Sequence, residues 1–216
     1  MMADHTGPDP GTVTQSLRII ATEHRRVLAH LCEPDGLTTS AGLAALAASA
    51  ATAADQTFAA AVLLVQSAPR VFVFGAGRSG LALKMVAMRL MHLGLTVHVV
   101  GEVTTPAVAS DDLLLVASGS GTTAGVIAAA TTARGVGAKV LAITTAPASA
   151  LAELADVLLI IPAATKQDHG GVLSAQYSGS LFEQLLLLYG DALFHSLWEA
   201  SGETAEALWP RHANVE

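Results

Sequence analysis

The sequence predicts an α/β fold, a three-layer α-β-α sandwich on a five-stranded parallel sheet, preceded by two helices. Three observations carry that expectation. Five short, near-continuous apolar runs recur from the middle of the chain onward: Val71–Phe74, Val97–Val100, Leu113–Val116, Val140–Ile143 and Val157–Ile161. Helical patterns alternate with them, and strands apolar along their whole length have to be covered on both faces. Two of the strands, the first and the third, run into glycine-rich turns that open helices.

In order along the chain, Met1 to Gly11 holds Asp4, His5, Asp9 and two prolines. It has neither a basic leader nor an apolar stretch behind one, so residues 1–13 are expected to be a disordered tail rather than a signal peptide. Residues 14–216 are expected to form a single domain. Thr14 to Leu31 reads as a helix, with Leu17, Ile20, Val27, Leu28 and Leu31 on one side and Arg18, Glu23, Arg25 and Arg26 mostly on the other. Pro34-Asp35-Gly36 breaks it, and Ser40 is a suitable N-cap for a second helix to about Gln66. Neither helix carries a chemical constellation, and both are read as packing or subunit-association elements.

Composition narrows the function classes. The chain has 216 residues, 52% of them apolar and only 13% charged, which suggests that subunits cover part of its surface. No apolar run reaches the roughly 18 residues of a membrane helix. A net charge of −7 without a lysine or arginine cluster argues against nucleic acid and anionic membranes as partners. Cys32 is the only cysteine, so there is no internal disulfide and no cysteine metal cluster, which suits a reducing cytoplasm. An anionic ligand is therefore expected to be held by backbone N–H groups, hydroxyls and one or two basic residues.

The first strand leads into Gly75-Ala76-Gly77-Arg78-Ser79-Gly80 and then an amphipathic run, Leu81 to Leu93. The unpaired N–H groups and positive dipole end of a helix start suit an anion. The third strand leads through Ser118-Gly119-Ser120-Gly121-Thr122-Thr123 into a helix over Ala124–Arg134. Ligands of parallel sheets bind beyond the carboxyl ends of the strands, where strand order reverses. That places the two loops side by side. Gly75, Gly77 and Gly80, with Glu102 after the second strand, also satisfy a dinucleotide fingerprint. Four hydroxyl residues in the second loop suit a terminal phosphate better, and no Gly-Lys-Ser/Thr follows either loop as a P-loop requires. The fourth strand continues through Thr144-Thr145-Ala146-Pro147 into a short helix near Ser149–Leu154. After the fifth come a loop, Ala163 to Gly179 with Lys166, Asp168 and His169, a long helix from Ser180 to about Trp198, and a polar tail, Arg211 to Glu216.

These pieces resemble the sugar isomerase (SIS) domain family, specifically its 6-phospho-3-hexuloisomerases. The resemblance runs from Val71 to the chain's end. Its carriers are Gly75 to Gly80, Met88-Arg89-Leu90-Met91-His92-Leu93-Gly94, Gly101-Glu102-Val103-Thr104-Thr105-Pro106, Ser118 to Thr123, Ile161 to Lys166, Ser180-Leu181-Phe182-Glu183-Gln184 and Arg211-His212-Ala213-Asn214. It implies a flavodoxin-like strand order and interconversion of 3-hexulose 6-phosphate with fructose 6-phosphate. The alternatives are another phosphosugar aldose–ketose isomerase, or a non-catalytic phosphosugar-binding module. The chemistry asks for a base at C2, donors for a 2,3-enediolate and a grip on the phosphate, with no metal or redox cofactor. Glu183, which resembles the family's glutamate, is the candidate base, the alternative being a capping or ion-pairing glutamate near a helix start; His212 either delivers a proton from a neighbouring subunit's tail or makes an interface contact. Phosphosugar binding falls to Gly77, Arg78, Ser79, Ser118, Gly119, Ser120, Gly121, Thr122 and Thr123. His92 is a lesser candidate, Glu102 orients sugar or lies in an exposed loop, and Lys166, Asp168 and His169 form a solvated loop or lid. A homodimer or homotetramer is expected from the apolar faces of the last long helix. Departures from the family are Thr122 where a glutamate is usual, Tyr177-Ser178 where Pro-Met is common, and a longer N-terminal extension.

Overall fold

The structure, a computed structural model, describes residues 12–32, 41–163 and 174–215. Most of the tail expected over residues 1–13 lies outside these residues, as do Lys166, Asp168 and His169. Helix α1 (Val13–Cys32) starts on a reciprocal cap. Thr12 Oγ1 accepts from the Gln15 amide at 3.2 Å, and Gln15 Oε1 accepts from the Thr12 amide at 2.8 Å. α2 (Ala41–Ser67) leads to the alternating part of the chain. There β1 (Val71–Gly75), α3 (Gly77–His92), β2 (Val97–Val99), β3 (Leu113–Ala117), α4 (Ala124–Gly135), β4 (Lys139–Thr144), α5 (Ala150–Leu154) and β5 (Val157–Ile160) follow one another. The long α6 (Ser180–Ser201), the short α7 (Ala205–Leu208) and a 3₁₀ turn over Trp209–Arg211 finish the chain.

All five strands are parallel, in the order β2-β1-β3-β4-β5. Successive strand side chains point to opposite faces, so each strand feeds two cores. Val71, Val73, Leu113, Leu115, Leu141 and Ile143 pack with α2, α3 and α6. Phe72, Leu114, Val116, Val140 and Ala142 pack with α4 and α5. This is the expected three-layer sandwich, and its order reverses between β1 and β3. There Gly75 lies beside Ala117 in register, so the turns that follow emerge as neighbours.

Two boundaries differ from expectation. α3 begins at Gly77, four residues before the apolar periodicity does. Gly80 makes this possible, because a Cβ there would stand 2.3 Å from the Gly75 carbonyl oxygen. The end of the chain is not a plain polar tail. Leu208 is buried, Thr204 caps α7 by accepting from the Ala207 amide, and Arg211 Nη1 donates to the His92 carbonyl at 3.1 Å.

α3 and α6 run parallel, since Arg78 meets Glu183, Val86 meets Gly190 and Arg89 faces Asp191 and Phe194. A Cβ on Gly190 would sit 2.1 Å from Val86 Cγ2, so this glycine sets how closely the two helices approach. At the amino end of the sheet, Arg70 binds Asp112 in two-point contact, Nε to Oδ1 at 2.9 Å and Nη2 to Oδ2 at 2.6 Å. No helix among the described residues is long and apolar enough to cross a membrane.

Candidate functional site

The carboxyl end of the sheet carries two loops, each leading into a helix without a side-chain cap: α3, entered from Ala76, and α4, entered from Thr123. α6 adds a third such start, entered from Gly179 at φ +79. Contacts tie the three together. Phe182, in the first turn of α6, lies against Gly119, where a Cβ would be 3.2 Å from its ring. Arg78 Nη1 donates to Ser180 Oγ at 3.1 Å, and Arg78 Nε is 3.1 Å from Glu183 Oε2. Three positive helix ends and one guanidinium thus surround a single mouth, which favours a multiply charged anion.

The second loop is held from inside. Ser118 Oγ and Thr123 Oγ1 share a 2.8 Å hydrogen bond, and the Gly121 amide donates to the Ser118 carbonyl at 3.0 Å. Gly121 has φ +64, and a Cβ there would fall 2.0 Å from Ser149 Oγ. The Gly119 carbonyl accepts from the Thr145 amide, Thr145 Oγ1 and Thr144 Oγ1 at 3.2, 2.8 and 3.2 Å. The sequence reading took Thr144 and Thr145 only as a turn, because they sit at the end of a different strand, β4. The only signal was their position at that strand's carboxyl end, beside the loops.

Thr122 stands in for the family's usual glutamate, and its amide and Oγ1 both donate to Ser120 Oγ, at 3.3 and 3.0 Å. Its exposed side chain closes the loop on itself. Ser79 is buried in the first turn of α3. Gly77, at φ +58, has open space where a Cβ would stand, so a ligand can approach that backbone closely. Gly77, Arg78, Ser79 and Ser118 to Thr123 are therefore gathered at one place, with Glu183 5% exposed beside them.

His212 is not gathered there. Its ring stacks on His92 at 4.0 Å and on Trp209 at 4.7 Å between centroids. His92 closes the far end of α3, roughly 20 Å along the axis from Ser79 at about 1.5 Å per residue. Burial first, then His212 and Arg89, holds the His92 imidazole below its ordinary range. Glu102 is on the surface, paired with Lys84 at 2.6 Å, which holds its carboxyl below the usual value.

α1 contributes a polar clamp that its sequence did not announce. Glu23, 8% exposed, accepts from Ser174 Oγ at 2.7 Å, the Ala175 amide at 2.6 Å and Gln176 Nε2 at 2.8 Å. Burial alone would raise its pKa, but these three donors and Arg26 outweigh burial and hold it below the ordinary value. Gln176 in turn accepts from Gln184 Nε2 at 2.9 Å, and Gln184 Oε1 lies 2.7 Å from His24 Nε2. This network fixes the approach to α6 within a turn of Glu183. A mostly apolar cavity of about 410 Å³ lies elsewhere, where Leu28, Phe58, Leu159 and Tyr189 meet between α1, α2, β5 and α6.

The model of the SIS domain matches residues 63–188, from the end of α2 into α6, and so takes in all five strands and both loops. The chain belongs to the SIS domain family. It is 63% identical over 147 residues to the 3-hexulose-6-phosphate isomerase of Mycobacterium gastri, a match covering 68% of this chain and 74% of that one. Identity to the Bacillus subtilis protein of the same name is 42% over 153 residues, covering 70% and 83%. Among solved structures, a Methanococcus jannaschii protein overlays with a TM-score of 0.73 at 25% identity, covering 94% of this chain and 99% of that one. Its crystal structure was described as inferring a molecular function of 3-hexulose-6-phosphate isomerase.

Proposed function

We propose that this protein is a 3-hexulose-6-phosphate isomerase of the cytoplasm, converting its substrate to fructose 6-phosphate. The observation that carries the reading is the placement of Glu183 against Arg78, which also donates to Ser180, at the edge of the loops built to hold a phosphate. The phosphate sits over the starts of α3 and α4, held by backbone N–H groups, Ser79, Ser120 and Arg78. Ser118 and Thr123 shape the loop as well as facing the ligand. Glu183 takes the proton from C2 as the O3 carbonyl oxygen gains a proton, giving the 2,3-enediol. Loss of the O2 proton and return of a proton to C3 then complete the exchange. The 3-ketone cannot close a five- or six-membered ring once its 6-oxygen carries phosphate, so the forward direction needs no ring-opening group.

His212 completes the site from a second subunit. Within one chain it is a helix length away from Glu183, but α3 presents an exposed apolar stripe, Leu81, Met85 and Met88, 62, 53 and 60% exposed. Two copies packed through this stripe, antiparallel about a two-fold axis, bring the far end of one α3 to the near end of the other. The His212 of the partner subunit then protonates the carbonyl oxygen.

Two measurements test the reading. Supplied with ribulose 5-phosphate, formaldehyde and a hexulose phosphate synthase, the protein should produce fructose 6-phosphate. Phosphosugar binding without turnover would instead mark a sensor module. Glu183→Gln and His212→Ala should each be inactive, yet mixing and re-equilibrating them should restore about a quarter of wild-type activity, from mixed dimers with one intact site. No restoration would refute the shared site.

A further inference from the structure

Arg78 stands where two anions, the Glu183 carboxylate and a phosphate at the mouth, would draw on the same guanidinium. Its Nε contacts Glu183 and its Nη1 contacts Ser180, both from the first turn of α3. Its side chain is 59% exposed where that of Glu183 is 5% exposed, so the guanidinium lies on the solvent side of a buried carboxylate. The same first turn holds Gly77 and Ser79, the part of the mouth assigned to phosphate.

We propose that Arg78 is a substrate-operated latch: it holds Glu183 until the phosphate of an arriving sugar draws the guanidinium away, uncovering the carboxylate for C2. The proposal rests on the reading of Glu183 as the base. A guanidinium presents five N–H donors in a planar fork and pairs with phosphate at two points. Arg78 Nε stands 3.1 Å from Glu183 Oε2, whereas a dianionic phosphate within reach carries twice the charge and accepts from the fork at two points. The exchange needs only rotations of the arginine side chain, because its backbone belongs to a helix already fixed by Gly75 and Gly80. Binding energy from the unreacting phosphate is thereby used to prepare the reacting end, and the base stays covered until a phosphorylated substrate is present. Tyr177-Ser178 lies immediately before the turn that carries Ser180, so the family departure there bears on how firmly the latch is seated.

Competition for one guanidinium has a reciprocal consequence: weakening the hold of Glu183 must strengthen the hold on phosphate. Calorimetric titration of the full chain with inorganic phosphate measures this without any turnover. Glu183→Gln should bind phosphate about fivefold or more tightly than wild type. The gain should vanish in the Arg78→Gln background. An equal gain in both backgrounds would mean simple charge repulsion and would overturn the latch, as would no gain, or no phosphate binding by any variant. If Arg78→Gln fails to fold by near-ultraviolet circular dichroism, Ser180→Ala carries the test. By removing the Nη1 anchor it should tighten phosphate binding, and unchanged or weaker binding would overturn the latch. The coupling with no fructose 6-phosphate produced would sink the isomerase reading alone; turnover without the coupling would sink the latch alone.

Discussion

Two arginine–carboxylate pairs flank β1, one at each end, and they are built differently. At the amino end Asp112 is buried and saturated: two nitrogens of Arg70 and the Ala109 amide converge on it at 2.6 to 2.9 Å. At the carboxyl end Arg78 Nε stands 3.1 Å from Glu183 while Nη1 donates to Ser180. A saturated pair ties the ends of two strands together and has nothing left over for a ligand. A pair with an exposed guanidinium keeps donors in reserve. The sheet is thus pinned at its amino end, and its adjustable pair stands at the carboxyl end, beside the two glycine-rich loops.

The sharpest way to break this comparison is to remove one carboxylate charge at each end. Glu183→Gln should lower kcat by about a thousandfold or more, about 4 kcal/mol of transition-state stabilisation, with its urea midpoint nearly unchanged. Asp112→Asn should do the opposite, leaving turnover per folded molecule intact while costing about 2 kcal/mol of stability. The cost stays below that of a fully buried ion pair because Arg70 keeps water contact. Urea titrations beside steady-state rates separate the two outcomes, and equal losses of stability at both sites would erase the distinction.

A smaller effect concerns acid. Burial, the largest influence on Asp112, would raise its pKa, but the Arg70 hydrogen bonds and charge and the Ala109 amide outweigh it and hold the carboxyl below its ordinary value. Glu23 follows the same sign. A group whose folded pKa is depressed stabilises the fold above its unfolded pKa, and that contribution is lost as pH falls through the folded value. The stability gap between wild type and Asp112→Asn should therefore shrink as pH is lowered from about 5 to about 2. Unfolding followed by circular dichroism at stepped pH measures it, and a constant gap would contradict the assignment.

Sequence and structure agree wherever a property is local. The five strands lie within a residue or so of their apolar runs, because a strand covered on both faces must be apolar throughout. Gly77, Gly119 and Gly121 mark the two loops, since close backbone approach and a positive φ leave few alternatives to glycine. Glu183 was visible through the motif around it. What escaped depends on residues far apart in the chain. Glu23 clamps residues 174–176 from about 150 positions away, and nothing in its helical periodicity distinguishes it from the solvent-facing arginines nearby. Thr144 and Thr145 fix the Gly119 carbonyl across a strand boundary, and Gly190 draws α6 onto α3 through contact with Val86. The seating of the end of the chain depends on such contacts too. Leu208 and Trp209 anchor it on α3, so His212 rests beside His92 of its own chain.

The order of residues alone determined a parallel α/β sheet, two glycine-rich turns at its switch point and a glutamate opening the last long helix. Hydrophobic periodicity and backbone conformation are written residue by residue. Only the folded chain decided which charges meet: Arg78 with Glu183, Arg70 with Asp112, Glu23 with the approach to α6. Ion pairs and hydrogen bonds act over a few ångströms, and which side chains come that close is set by the packing of whole elements.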